Sequence, residues 1–142
     1  MSEFVGQGND STCVAVAVVN ACLHLGVPPP PLESLVSEMC CDNGGAIGAD
    51  AVISRVLGMS ACDEDSFFDA GGILTIMHPI FNLHACLCVA DDCFKGTERW
   101  RYTLVNSWLG PLVCRNLGRR EIEQFLPNEH NRKMWAFPSV AG

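Results

Sequence analysis

Charge is scarce in this sequence, and positive charge scarcer still. Only 18% of residues are charged, nine Lys and Arg stand against sixteen Asp and Glu, and the net charge is −7. Nucleic-acid binding depends on neutralising phosphates, so this balance argues against nucleic acid as the main partner. The basic residues that gather late in the chain, from Arg99 to Lys133, read as an ordinary solvated face. The apolar run 13–23 is too short to span a bilayer, and Asn20 interrupts it. The opening segment, MSEFVGQGNDST, has neither a basic n-region nor an apolar h-region. A cytoplasmic protein without a membrane partner is the expectation. No Cys-x-x-Cys pair occurs. Cys86, Cys88 and His84 alternate along a strand-like stretch, but same-face neighbours on an extended strand lie about 6.5–7 Å apart. That spacing is too wide for ligands sharing one zinc ion without a bend. No internal repeat is present, and low complexity is confined to the four prolines 28–31.

What is abundant is apolar surface. The chain has 142 residues, which suits a single domain, and 49% of them are hydrophobic, with a positive mean hydropathy. Such a chain can bury a sizeable core, and disorder is not expected of it. Nine cysteines is an odd number, so at least one thiol stays unpaired within a monomer. Most of them read as small buried apolar fillers.

The pattern of elements divides near residue 72. Residues 13–26 (CVAVAVVNACLHLG) alternate Val and Ala, so a strand competes. Length, Ala content and the closing Gly26 favour a helix wrapped by protein on nearly all sides, with Asp10, Ser11 and Thr12 as N-cap candidates. Prolines 28–31 force an extended connector. Residues 32–41 place Leu32, Leu35, Val36 and Met39 on one helical face, and 47–58 give a short helix ending at Gly58. The acidic stretch 63–69 reads as a solvated loop, with Phe67 and Phe68 either plugging it to the core or forming a substrate rim. Gly44-Gly45 and Gly71-Gly72 read as turns. After residue 72 the segments ILTIMHPIF, LHACLCVA and RYTLVNSW are short, β-branched or aromatic, and read as strands, with 91–98 as a hairpin loop. LVCRNL adds a strand, GRREIEQFL a surface helix, and KMWAFPSV a last strand placed on a sheet edge because of Pro138. The expected class is α+β: helices over 1–72, then a mostly antiparallel sheet over 73–142, in one domain.

Thiol catalysis needs a stabilised thiolate, a base, a group that orients the base, and donors for the oxyanion. Cys13 follows a polar, cap-rich loop and opens an apolar helix, where unpaired backbone N–H groups favour a thiolate. Cys22 would lie deep in that helix. Gln7, six residues upstream, would fold back to complete an oxyanion hole with the Cys13 backbone N–H. His84 begins one strand and Asn106 ends the next. If those strands pair, the Asn106 side chain accepts from one imidazole nitrogen and leaves the other to face Cys13, with Trp108 covering the bond from water. His78 competes for the role of base, but Pro79 follows it and nothing in the later motif depends on it. His24 and His130 look incidental.

These residues, in this order, resemble the papain-like cysteine peptidases. Gln7-Gly8 precedes Cys13 at the family's spacing, His84-Ala85 opens an apolar strand, and Asn106-Ser107-Trp108 closes a later one within LVNSWLG. In size the chain is similar to bacterial double-glycine-leader peptidases and their stand-alone relatives. The resemblance implies a papain-like fold with Cys13 as nucleophile, His84 as base, Asn106 as orienter, Gln7 as oxyanion donor and Trp108 in support. It implies a peptide or protein substrate, cleavage of a peptide or isopeptide bond through an acyl-enzyme, and no cofactor or metal. Deamidation or acyl transfer would use the same thioester. The sequence departs from the family around the nucleophile, where Asn9-Asp10-Ser11-Thr12-Cys13-Val14 lacks the usual second Cys, Gly and following aromatic. Asp10, if turned inward, opposes a thiolate. Two readings from other classes stand beside the enzyme: a papain-fold binding protein that sequesters a partner, and a cysteine-rich metal protein.

Overall fold

The computed structural model describes residues 4–6, 12–39, 48–79, 82–90, 101–129 and 131–138. Among the described residues the fold is α+β, with five helices and one six-stranded antiparallel sheet. Four helices come first: α1 (Cys13–Leu25), α2 (Leu32–Met39), α3 (Ala49–Leu57) and α4 (Glu64–Ala70). The strands are β1 (Ser60–Ala61), β2 (Gly72–His78), β3 (Asn82–Ala90), β4 (Arg101–Val105), β5 (Val113–Gly118) and β6 (Met134–Ala136), with α5 (Arg119–Glu123) between the last two. The division near residue 72 therefore has two exceptions, the short β1 before it and α5 after it.

Helix α1 is the central element. Every residue from Cys13 to Cys22 is buried, because small Val and Ala side chains let neighbouring elements close on it from all sides. Gly26, with φ 73°, ends the helix, and the next residue, Val27, donates its N–H to the Cys22 carbonyl at 2.9 Å. Asn20, the polar interruption of the run, is fully buried and hydrogen-bonded through both ends of its amide. Its Oδ1 accepts from the Val5 N–H at 2.8 Å, and its Nδ2 donates to the Val5 carbonyl at 3.1 Å. That pair straps the segment 4–6 along the helix. Gln7, the expected oxyanion donor, lies outside the described residues, as do Gly8, Asp10, Ser11, His130, the Gly44-Gly45 pair and the expected hairpin loop 91–98.

The amphipathic helices follow their spacing with small shifts. In α2, Leu35 and Met39 are buried while Leu32, at the helix start, is exposed. In α3, Val52, Ile53 and Leu57 face in, and Gly58 takes the left-handed conformation (φ 68°) that closes it. The acidic stretch corrects the expectation of a loop. Residues 64–70 are helical, capped by Asp63, whose Oδ1 accepts the Ser66 N–H at 2.8 Å. The cap and the buried Phe67 and Phe68 outweigh the acidic composition, each Phe contributing about 1.5–3 kcal/mol by burial.

The sheet order is β1-β6-β2-β3-β4-β5. The last strand is thus not an edge: β6 lies between β1 and β2, and Pro138 falls beyond its end and interrupts nothing. β2 and β6 approach so closely at Gly72 that a Cβ there would sit 1.8 Å from the Trp135 carbonyl oxygen. α1 packs on one face of β3, in a cluster with Ile73, Ala85, Leu87 and Val105. The opposite face holds Leu74, Ile76, Cys86, Cys88, Tyr102 and Leu104, closed by Phe67 and Phe68 of α4.

Candidate active site

Strands β2 and β3 pair with Ile76 opposite His84 and His78 opposite Asn82. Cross-strand partners share a face, and side chains alternate along a strand. His78 and His84 therefore point the same way at the same end of the ladder. β4 pairs with β3 from Leu87↔Val105 to Ala90↔Tyr102, so the chain leaving β4 after Val105 turns beside the start of β3. That turn is Asn106-Ser107-Trp108. Asn106 (φ 60°) and Trp108 (φ 61°) both have left-handed backbones. Asn tolerates that region through local hydrogen bonding, whereas Trp rarely enters it. The Asn106 N–H is held by the Leu112 carbonyl at 2.8 Å, and the whole turn is buried except for part of Trp108.

His84 is 1% exposed, and its Nε2 lies 2.5 Å from the main-chain oxygen of Asn106. A carbonyl only accepts, so Nε2 carries the hydrogen and the lone pair of neutral His84 resides on Nδ1. Asn106, expected to orient the base through its side chain, meets His84 through its backbone: the left-handed turn aims its carbonyl at His84 Nε2. Trp108 stacks on His84, ring centroids 4.4 Å apart and planes 23° apart. It covers the ring face rather than only shielding a hydrogen bond. Burial pushes the His84 pKa below the ordinary histidine value, the Asn106 carbonyl opposes that shift, and charge on His78 adds to it. His84 is thus biased toward its neutral form.

His78 is the residue that sequence reasoning set aside. It is 7% exposed, its Nε2 lies 2.9 Å from the Trp108 carbonyl oxygen, and its ring meets Trp108 edge-on at 6.2 Å. The β2–β3 register is the signal that brings it in, and two apolar strands do not reveal their register from composition.

Cys13 is the first residue of α1 and is 4% exposed. Thr12 occupies the N-cap position, its carbonyl accepting the Val16 N–H at 3.0 Å. Cys13 and Ala85, the neighbour of His84, belong to the same apolar cluster. Negative charge on Cys13 is felt at Cys86, two residues along β3 from His84, where burial and that charge together push the thiol pKa far up. α1, which Cys13 opens, packs on the face of β3 that carries Ala85 and Leu87, and the start of that strand carries His84. The structure brings His84, Asn106, Trp108 and His78 into direct contact, with Cys13 on the element packed against β3. Among the described residues no three of His, Cys, Asp and Glu converge as ligands for a metal ion, and no helix is long and apolar enough to cross a membrane. In comparisons with protein-family models, curated proteins and solved structures, nothing matches this chain.

Proposed function

We propose that this chain is a papain-like thiol hydrolase that cleaves a peptide or isopeptide bond, with Cys13 as nucleophile and His84 as base. The observation that carries the reading is the His84 tautomer: Nε2–H is committed to the Asn106 carbonyl, so the basic nitrogen is Nδ1. In the proposed reaction Nδ1 takes the Cys13 proton as sulfur attacks the substrate carbonyl carbon. The imidazolium then gives that proton to the leaving amine, forming a thioester. Water, deprotonated by His84, attacks the thioester and releases the acid and the Cys13 thiol. The Cys13 backbone N–H at the helix start and the Gln7 amide would stabilise the oxyanion. Trp108, flat against His84, favours the imidazolium through its ring face. Deamidation or acyl transfer would share the thioester and differ only in leaving group or acceptor. Cys22, Cys62, Cys86, Cys88 and Cys114 are thiols, which suits a reducing, cytoplasmic setting.

The near-complete burial of Cys13 and His84 favours one second reading, a papain-fold protein that keeps these residues in place and binds a partner without turnover. Labelling with a peptide-based thiol electrophile, read by mass spectrometry, separates the two. A hydrolase labels at Cys13 first, and His84→Ala slows that labelling by about a hundred-fold or more. Equal, slow labelling of several cysteines, unaffected by His84→Ala, would remove the enzyme reading. Incubation with a diverse peptide library, comparing the native chain with Cys13→Ala, then defines the bond cleaved.

A further inference from the structure

The Asn106-Ser107-Trp108 turn holds two left-handed non-glycine residues within three positions. Such residues are strained, and they persist where the surroundings over-determine them. Each of the two is held by an imidazole on its own carbonyl: His84 Nε2 on Asn106 O at 2.5 Å, and His78 Nε2 on Trp108 O at 2.9 Å. The two histidines come from adjacent antiparallel strands and share a face, since His84 pairs with Ile76 and His78 is two residues further along β2. Their rings are 6.4 Å apart, and the indole of Trp108 lies against both, stacked on His84 and edge-on to His78.

We propose that His78 is a positioning residue for the base: its Nε2–H holds the Trp108 carbonyl, which keeps the indole flat on His84 and the Asn106 carbonyl on His84 Nε2. This rests on the thiol-hydrolase reading for its consequence in catalysis, though not for its geometry. His78 does not reach the reacting atoms in this role. It acts through the turn, and the turn fixes which nitrogen of His84 is basic and how the ring is oriented. A small displacement of a base is enough to cost a large factor in rate, so the clamp matters even though it lies one residue removed from the chemistry.

The test uses the whole chain, with histidine ring signals read by long-range proton–nitrogen NMR and Cys13 reactivity by electrophile labelling. In the native protein both His78 and His84 carry hydrogen on Nε2, and the His84 ring protons are moved upfield by the stacked indole. His78→Phe keeps a flat ring but removes the donor. It is expected to lose the upfield shift and to slow Cys13 labelling about ten-fold. His78→Gln, whose amide N–H can replace Nε2–H, is expected to restore the shift and most of the rate. A native His78 protonated on Nδ1 would overturn the proposal without any variant, so it stays exposed to refutation even if His78→Phe does not fold. So would a folded His78→Phe with native His84 shifts, or a folded His78→Gln indistinguishable from the Phe variant. If Cys13 of the native chain labels no faster than the other thiols, the hydrolase reading fails while the NMR comparison still decides the clamp.

Discussion

On one face of β3, Ala85, Leu87 and Val89 meet α1 and its aliphatic neighbours; on the other, His84, Cys86 and Cys88 look toward Ile76, Leu74, Leu104 and Tyr102. Burial is the same on both sides, from Ala85 to Cys88 within 1% of zero exposure. Only the chemistry differs. On the aliphatic side β3 itself has nothing to ionise; the thiols there, Cys13 and Cys22, belong to α1. On the other face burial pushes the Cys86 and Cys88 thiols well up and His84 down, so each group is held neutral. The lesson is that a fully buried face can carry titratable groups without a charge to solvate. In the proposed reaction, proton transfer takes place at the strand's start, where His84 meets the 106–108 turn. Changes on the aliphatic face should be read in stability, and changes at His84 in reactivity.

The largest effect expected from that contrast is at His84. His84→Ala should slow Cys13 labelling by about 10²–10⁴-fold, the range for loss of a general base, with a much smaller change in denaturation midpoint. Labelling that stays within a few-fold of native would show that this face is only a core. Next comes Leu87→Ala on the opposite face, expected to cost about 2–5 kcal/mol of stability by leaving a cavity under α1. Guanidinium unfolding followed by circular dichroism measures it, and labelling of the folded fraction should stay near native. A Leu87→Ala protein of native stability but altered reactivity would invert the contrast.

How much of this was legible in the residues depends on what each feature rests on. The buried helix from Cys13, the left-handed closures at Gly26 and Gly58 and the antiparallel strands follow from local composition and spacing. The approach of His84 to Asn106 and Trp108 was legible from strand order, since a strand that ends at Val105 beside β3 must turn near its start. The atom of Asn106 that bonds His84 was not, because it depends on a positive φ that swings the carbonyl into place. His78 was missed for a related reason. β3 is buried on both faces, so it shows no apolar–polar alternation, and without alternation the register that aligns His78 with His84 leaves no trace. α4 was read as a loop because its acidic surface masks Phe67 and Phe68 at the core, although Asp63 three residues before Ser66 is a cap signal. The interior place of β6 depends on β1, a strand of two residues that no pattern announces.

A smaller effect belongs to the apolar part of the titratable face. Tyr102 is buried there and donates its hydroxyl to the Phe68 carbonyl at 2.7 Å, with the two rings in edge contact at 5.3 Å. Tyr102→Phe keeps the ring contact and leaves a buried carbonyl unsatisfied, at a cost of about 1–3 kcal/mol. Thermal or guanidinium unfolding checks it. Cys13 labelling should not change, because Tyr102 lies toward the far end of β3, opposite Ala90. A loss of reactivity without a loss of stability would mean that this face communicates along its length.

The smallest effect is that of pH, and its sign separates the faces once more. His84 has a folded pKa below its ordinary value, chiefly from burial. As pH falls through the usual histidine range, near 6.5, the unfolded chain takes the proton first. The unfolded state then binds more protons than the folded one, so stability rises with pH across that window. The contribution is complete above the unfolded pKa and is lost as pH falls toward the folded one. Ala85, Leu87 and Val89, on the other face of β3, contribute nothing to this slope. Guanidinium midpoints of native protein and His84→Gln, compared at pH 8 and pH 5, isolate it: the native protein should lose more stability on acidification than the variant does. Equal losses would mean that His84 titrates alike in both states, and that its neutrality owes nothing to the fold.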